Sequence, residues 1–197
     1  SQFVEYPGVA GGPVEVSSVT GAKILASLYE LRRDPTLAGW NGQSEMMGLP
    51  WEQLVQTGSF SVVLRELPPR RAAQLANRIH QLARANTRLG IPPLIHDEGL
   101  HGLLANGATS FPQSIAMASS WNPELLQQVA GAIGRETRQR GIRQLLSPTI
   151  NIARDPRCGR TEETYGEDPT LAARMAVAFV RGVQQEGVVA TPKHYAA

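Results

Sequence analysis

The feature that most constrains the fold of this chain is an alternation of short apolar stretches with longer amphipathic ones in its second half. Residues 91–95, 144–150 and 188–191 have the length and composition of buried strands. The stretches between them place apolar residues at helical spacing. Strands that alternate with helices pair in parallel through helical crossovers. The sequence therefore predicts an α/β fold, either a parallel sheet or a (β/α) barrel.

Three long helices are predicted, at residues 68–89, 122–141 and 168–187. Each has a proline in its first turn, where no amide partner is needed, and a glycine at its end. Asn122 and Asp168 precede two of these prolines and are expected to be N-caps. These helix starts also mark where the strand-to-helix loops of the second half end.

The first 58 residues lack this pattern. Glycine and proline clusters interrupt them, and one short helix is predicted at residues 22–33. We interpret residues 1–58 as an irregular lead-in and residues 59–197 as an incomplete barrel, because eight β/α units take about 250 residues. The chain begins without Met and ends directly after an apolar stretch, so we expect both ends to be truncations.

Composition excludes several classes of protein. Apolar residues make up 42% of the chain, enough for a core, yet no apolar run approaches the roughly 18 to 20 residues of a membrane span. The single cysteine allows no internal disulfide. His96 and His101 are five positions apart, whereas a helix-borne zinc pair needs four, and no glycine-rich phosphate loop occurs. We expect no metal, no cofactor and no membrane partner, and the cellular compartment stays open.

A nucleic-acid partner is suggested only by the arginines of residues 65–88. The net charge is +2, and no aromatic residue stands between these arginines to stack on bases. Leu75, Ile79 and Leu82 form one apolar face of the predicted helix. The arginines are therefore interpreted as a solvated helix face. Nucleic acid remains an alternative that would show steeply salt-dependent binding.

Charged residues concentrate where the three strands end, which is where parallel α/β folds place their sites. Glu98 follows the first strand, Lys193 and His194 follow the third, and residues 151–168 hold three arginines and five carboxylates after the second. Of 19 lysine and arginine residues only two are lysines, and a lysine ending a buried strand is costly unless paired. Glu98, Arg160, Lys193 and His194 suit a sugar, whose hydroxyls both accept and donate.

Simpler interpretations of the same residues stay open. A solvated loop is the alternative for residues 151–168, and a histidine satisfied within the core is the alternative for His194. Cys158 lies among arginines that would favour a thiolate nucleophile, although a single loop cysteine is more often incidental.

Read together, the strand ends resemble the amino-terminal domain of glycoside hydrolase family three, the β-glucosidases and β-xylosidases. The blocks are residues 97–102, 151–169 and 193–195, and the similarity runs from about Ser59 to the end. The resemblance implies a TIM-like (β/α) barrel. It also implies that Glu98, Arg160, Lys193 and His194 hold the non-reducing sugar of a β-linked oligosaccharide or glycoside in the first subsite.

The resemblance further implies a retaining, exo-acting enzyme that uses two carboxylates about 5 Å apart. The family's nucleophile lies in a Ser-Asp-Trp stretch, and this chain contains no Ser-Asp pair. No catalytic residue is therefore assigned, and both are expected beyond Ala197. Tyr195 after Lys-His argues against the N-acetylglucosaminidase branch, and Cys158 stands where an aromatic residue is usual. A non-catalytic carbohydrate-binding remnant is the alternative function.

Overall fold

The structure is a computed structural model that describes residues 14–17, 23–26, 64–86 and 89–194. The chain divides into two compact units. One comprises residues 1–66 and 78–93, and the other residues 67–77 and 94–197. The expected boundary at residue 58 lies outside the described residues.

The first unit contains an antiparallel strand pair. β1 (Val14–Ser17) runs against β2 (Lys23–Ala26), with Val14 opposite Ala26 and Ser17 opposite Lys23. The helix predicted at residues 22–33 is therefore wrong over β2, and its remainder lies outside the described residues. By propensity alone the four residues of β2 are compatible with a helix or a strand. Their pairing with β1 stabilises the strand.

Helix α1 (Pro69–Asn86) contributes residues to both units. It begins at Pro69, one residue after its predicted start, and its apolar face is confirmed, since Leu75 and Ile79 are buried and Leu82 is half-buried. The helix is amphipathic, because its arginines are exposed: Arg70, Arg71, Arg78 and Arg84.

The second unit contains a parallel sheet in the order β3–β4–β5, formed by β3 (His96–Asp97), β4 (Gln144–Leu145) and β5 (Val189–Ala190). The register places His96 beside Gln144 and Gln144 beside Val189. Helix α3 (Pro123–Gln139) precedes β4 and helix α4 (Pro169–Gln185) precedes β5. A short helix, α2 (Ser114–Ala118), lies between β3 and α3. The predicted alternation of parallel strands and helices is confirmed.

The strand predicted at residues 91–95 is displaced to His96–Asp97, and the one predicted at residues 144–150 is shorter than expected, because prolines lie within both stretches. Residues 91–94 lie outside the ladder, since Pro92 and Pro93 have no N–H to donate. Pairing begins at Ile95, whose carbonyl accepts from Arg143 N–H at 2.9 Å. After Pro148 the pairing resumes as a bridge between Thr149 and Lys193. β3 therefore lies after the predicted residues 91–95 and ends at Asp97, directly before Glu98.

Helices α3 and α4 pack against each other, and α4 also contacts β5. Both begin as predicted: Asn122 Oδ1 accepts from Leu125 N–H at 2.9 Å, and Asp168 Oδ1 accepts from Leu171 N–H at 2.6 Å. The core between the helices is apolar and fully enclosed, formed by Leu126, Ile133, Met175, Phe179 and Val183.

A buried arginine joins the end of α3 to two other segments of the second unit. Arg140 is 2% exposed and donates to Leu67 O at 3.0 Å and to Asn106 O at 2.7 Å. Burial lowers the pKa of its guanidinium, and the nearby charge of Glu136 partly offsets this effect.

Among the described residues, no helix has the length and apolar character needed to cross a membrane.

Candidate functional site

The end of β3 and the segment after β5 meet in an ion pair. Lys193 Nζ lies 2.8 and 3.0 Å from the two carboxylate oxygens of Glu98. The Lys193 side chain is only 15% exposed and that of Glu98 is 32% exposed, so both charges are largely removed from water. A lysine in this position was predicted to need a partner, and the structure supplies Glu98. A parallel β-bridge to Thr149 holds the Lys193 backbone beside the segment that follows β4.

Arg160 lies in the long loop after β4 and is held by Glu163, which stands three positions later in a 3₁₀ helix (Thr161–Glu163). Two parallel hydrogen bonds join them, from Nε to Oε1 at 3.0 Å and from Nη2 to Oε2 at 2.6 Å. These bonds lower the pKa of Glu163 and raise that of Arg160. The pair is therefore ionised on both sides throughout the neutral range.

His194 is in contact with Arg160 and with Asn151. Arg160 Nη1 lies 3.2 Å from His194 Nε2, and Asn151 Oδ1 lies 2.9 Å from His194 Nδ1. The backbone N–H of His194 also donates to Asn151 Oδ1, at 3.1 Å. The Lys193–His194 peptide bond is cis. The imidazole is thus held on one side by Arg160 and on the other by Asn151.

The four residues predicted from the sequence therefore come together as two neighbouring pairs, Glu98 with Lys193 and Arg160 with His194. The pairs are within electrostatic reach of each other, because Glu98 contributes to the raised pKa of Arg160 and Lys193 to the lowered pKa of Glu163. The cluster offers a carboxylate acceptor, an ammonium, a guanidinium and an imidazole. Such a set matches a ligand with several adjacent hydroxyl groups.

Sequence reasoning missed the residues that support these four. Glu163 and Asn151 hold Arg160 and His194, and Ser147 Oγ accepts from Gly99 N–H at 3.1 Å next to Glu98. Ser147, Thr149 and Asn151 occupy every second position in the extended chain that follows β4. Polar residues at every second position share one face of an extended chain, so this alternation was a usable signal.

The other candidates do not join the site. His101 lies in the loop after β3 and donates from Nδ1 to Phe111 O at 2.9 Å. Cys158 is exposed. Asp155 is paired with Arg157, which lowers the pKa of the carboxyl group and raises that of the guanidinium. Throughout the part of the chain that the structure describes, no three His, Cys, Asp or Glu side chains are grouped as metal ligands.

Relatives with known activities match a large part of the chain. A β-xylosidase of Formosa agariphila is 44% identical over 129 residues, which is 58% of this chain and 18% of that protein. A β-glucosidase of Rhizobium radiobacter is 40% identical over 117 residues, which is 56% of this chain and 14% of that protein. The chain thus spans less than a fifth of the length of these relatives.

A solved structure of a β-glucosidase from Erythrobacter marinus matches with a TM-score of 0.67 and 38% identity, over 70% of this chain and 19% of that chain. The likeness confirms the predicted fold class, since the three parallel strands and their helices form an open part of a (β/α) barrel of this kind. Residues 50–197 match the sequence profile of the glycosyl hydrolase family 3 N terminal domain. The chain therefore belongs to glycosyl hydrolase family 3, as its strand-end blocks predicted.

Proposed function

We propose that this chain supplies part of the first sugar subsite of a retaining, exo-acting β-glycosidase of the β-glucosidase or β-xylosidase type. Glu98, Arg160, Lys193 and His194 hold the non-reducing terminal sugar of a β-linked glycoside. The observation that carries the proposal is the convergence of these four side chains, from the segments that follow three separate strands, into two adjacent hydrogen-bonded pairs. Family membership and the named activities of the relatives support the same reaction class.

The chemistry of the pairs explains why a sugar is the expected ligand. The Glu98 carboxylate accepts from sugar hydroxyls, while Lys193 and Arg160 donate to hydroxyl oxygens. Each charge is already balanced by a protein partner, so a neutral polyol enters without leaving a charge uncompensated. An anionic ligand would instead compete with Glu98 for Lys193.

The reaction itself needs two further carboxyl groups. A retaining glycosidase uses a carboxylate nucleophile and an acid/base residue about 5 Å apart. We assign neither role to a residue of this chain and expect both from sequence beyond Ala197. This chain alone is therefore expected to bind the sugar without cleaving the glycoside.

The test is hydrolysis of nitrophenyl β-glucoside and β-xyloside by the full gene product and by its Lys193→Ala variant. We expect kcat/KM to fall by about 100-fold in the variant, because one charged donor is lost and Glu98 is left unpaired. Arg135→Ala is the matched control, since it also removes a cation 2.7 Å from a glutamate, Glu186, but on the helical surface. The control is expected to keep full activity.

Each outcome separates the functional candidates. Equal kcat/KM values for wild type and Lys193→Ala would contradict the subsite role of Lys193. A gene product that binds glucose or xylose but hydrolyses neither nitrophenyl glycoside would instead favour a non-catalytic carbohydrate-binding protein. The preferred glycoside identifies the sugar.

A further inference from the structure

The hydrogen bonds around His194 determine which of its ring nitrogens carries the proton. The backbone N–H of His194 can only donate, so the Asn151 atom it reaches at 3.1 Å is the amide oxygen. The same oxygen lies 2.9 Å from Nδ1. An amide oxygen only accepts, and Nδ1 must therefore be the protonated nitrogen.

The opposite side of the ring leads to the same assignment independently. Arg160 Nη1 lies 3.2 Å from Nε2, and a guanidinium has donors but no acceptor. Nε2 must accept this bond, so it carries no proton. Two contacts on two different residues thus specify one tautomer, with the proton on Nδ1 and a lone pair on Nε2.

This tautomer has a consequence for ligand recognition. The Nε2 acceptor and the Nη1 donor lie side by side, and the Arg160 side chain is 51% exposed, which leaves the pair open to a ligand. A hydroxyl group that enters here replaces their mutual bond by donating to Nε2 and accepting from Nη1. With the proton on Nε2 instead, the histidine and the arginine would both donate, and a hydroxyl would lose its acceptor.

We propose that Asn151 is a positioning residue that holds His194 in the Nδ1-protonated tautomer, so that the His194–Arg160 pair recognises a sugar hydroxyl able to donate as well as accept. The proposal rests on the proposed function for the identity of the ligand. It goes beyond that function in two ways. It assigns a role to Asn151, and it requires that one sugar hydroxyl donate a hydrogen bond to His194 Nε2.

The tautomer is measured directly by ¹⁵N NMR of the His194 imidazole in the full gene product, at about pH 8, where an ordinary histidine is neutral. We expect a proton on Nδ1 in the wild type and in Asn151→Asp, which keeps an acceptor. In Asn151→Ala we expect a mixture of tautomers, because only the 3.2 Å contact with the half-exposed Arg160 then favours the Nδ1 proton. Asn122→Ala removes an asparagine hydrogen bond at the start of α3 and is expected to leave the tautomer unchanged. A proton on Nε2 in the wild type, or an unchanged tautomer in Asn151→Ala, overturns the proposal.

Recognition is measured by inhibition constants of glucose and its monodeoxyfluoro analogues, since fluorine cannot donate a hydrogen bond. We expect one analogue to bind about tenfold more weakly than glucose in the wild type and in Asn151→Asp, and less than about threefold more weakly in Asn151→Ala. Equal discrimination in all three proteins overturns the hydroxyl requirement. A protein that binds neither glucose nor xylose refutes the proposed function, and with it the sugar role, while the NMR spectra still decide how Asn151 acts on His194.

Discussion

At the level of single residues, the site is a set of charges that are each balanced by a neighbour. Lys193 lies against Glu98, and Arg160 lies against Glu163. The rarity of lysine in this chain pointed to Lys193, but nothing local in the sequence identified its partner. Glu98 precedes Lys193 by 95 positions, and only the parallel sheet brings the two strand ends together. Glu163 is one of five carboxylates in the loop at residues 151–168, and nothing in the local sequence distinguishes it from the others.

The Arg160–Glu163 pair predicts a specific pH dependence. Hydrogen bonds from Arg160 hold the pKa of Glu163 below its ordinary value of 4.5. A carboxyl group with a depressed folded-state pKa stabilises the fold above its unfolded-state pKa, and this contribution is lost as the pH falls through the folded-state value. We expect Glu163→Gln to lower the free energy of unfolding by about 0.5–1 kcal/mol at pH 7, since Arg160 is half-exposed.

The difference between the two proteins should stay constant down to about pH 4.5 and disappear below that. Urea unfolding of the full gene product and its variant, between about pH 3 and pH 7, measures it. Glu162→Gln is the control, because it changes an exposed neighbouring glutamate and is expected to have no effect. A difference that grows as the pH falls would contradict the prediction.

A second prediction at this scale concerns Tyr165. The residue is 1% exposed, and within the described part of the chain its hydroxyl group has no hydrogen-bond partner. Burial raises the pKa of Tyr165, so the phenol is neutral. We expect Tyr165→Phe to leave the free energy of unfolding unchanged or to raise it by up to about 1 kcal/mol. The substitution removes a hydroxyl group whose burial without a partner costs free energy.

Thermal or denaturant unfolding of the full gene product measures this effect, with Thr137→Val as the comparison. Thr137 is also fully buried, but its hydroxyl donates to Ile133 O at 2.7 Å. Its removal is expected to destabilise the protein by about 1 kcal/mol. A loss of more than about 1 kcal/mol in Tyr165→Phe would indicate that the phenol is satisfied after all.

At the level of elements, the helix starts were predictable and the strand limits were not. Asn122 and Asp168 cap α3 and α4 as their sequence context indicated, because a cap is formed by residues three positions apart. The strands instead depend on distant partners. Prolines interrupt two of the apolar stretches that were predicted as continuous strands, namely Pro92, Pro93 and Pro148. Similarly, β2 is a strand only because β1 pairs with it.

The packing of α3 against α4 depends on Gly182. A Cβ added there would meet Gln127 O and lie 2.7 Å from Ala130 Cβ, both on α3. We expect Gly182→Ala to destabilise the protein by at least about 2 kcal/mol, because the helices must separate. Gly131→Ala is the matched change in α3, where the nearest heavy atom would be 3.7 Å away.

In Gly131→Ala the gain in helix propensity is unopposed, and we expect a stabilisation of about 0.5–1 kcal/mol. Denaturant unfolding of both variants gives the comparison. Equal effects of the two substitutions would show that the helix spacing does not depend on Gly182.

At the level of the whole molecule, the described part of the barrel is a three-stranded sheet with apolar side chains exposed near its end. Val189 in β5 is 48% exposed and Ile150 is 40% exposed. Among the described strands, β5 pairs only with β4. We expect the 197-residue chain, expressed alone, to associate through these surfaces, because unpaired strand edges and apolar patches promote aggregation. Size-exclusion chromatography with light scattering tests this, and a monodisperse monomer that unfolds cooperatively would contradict it.

The local physics of the chain was sufficient for the fold class, for the three long helices and the N-caps of α3 and α4, and for the four polar residues after the strand ends. Apolar periodicity, proline and glycine positions and capping residues act over a few neighbouring positions, so a linear sequence displays them. The pairing of Glu98 with Lys193, the contact of Arg160 with His194 and the placement of Asn151 required the tertiary structure. Those contacts depend on strand register and on which side chains face each other across the sheet, and both are consequences of packing between distant segments.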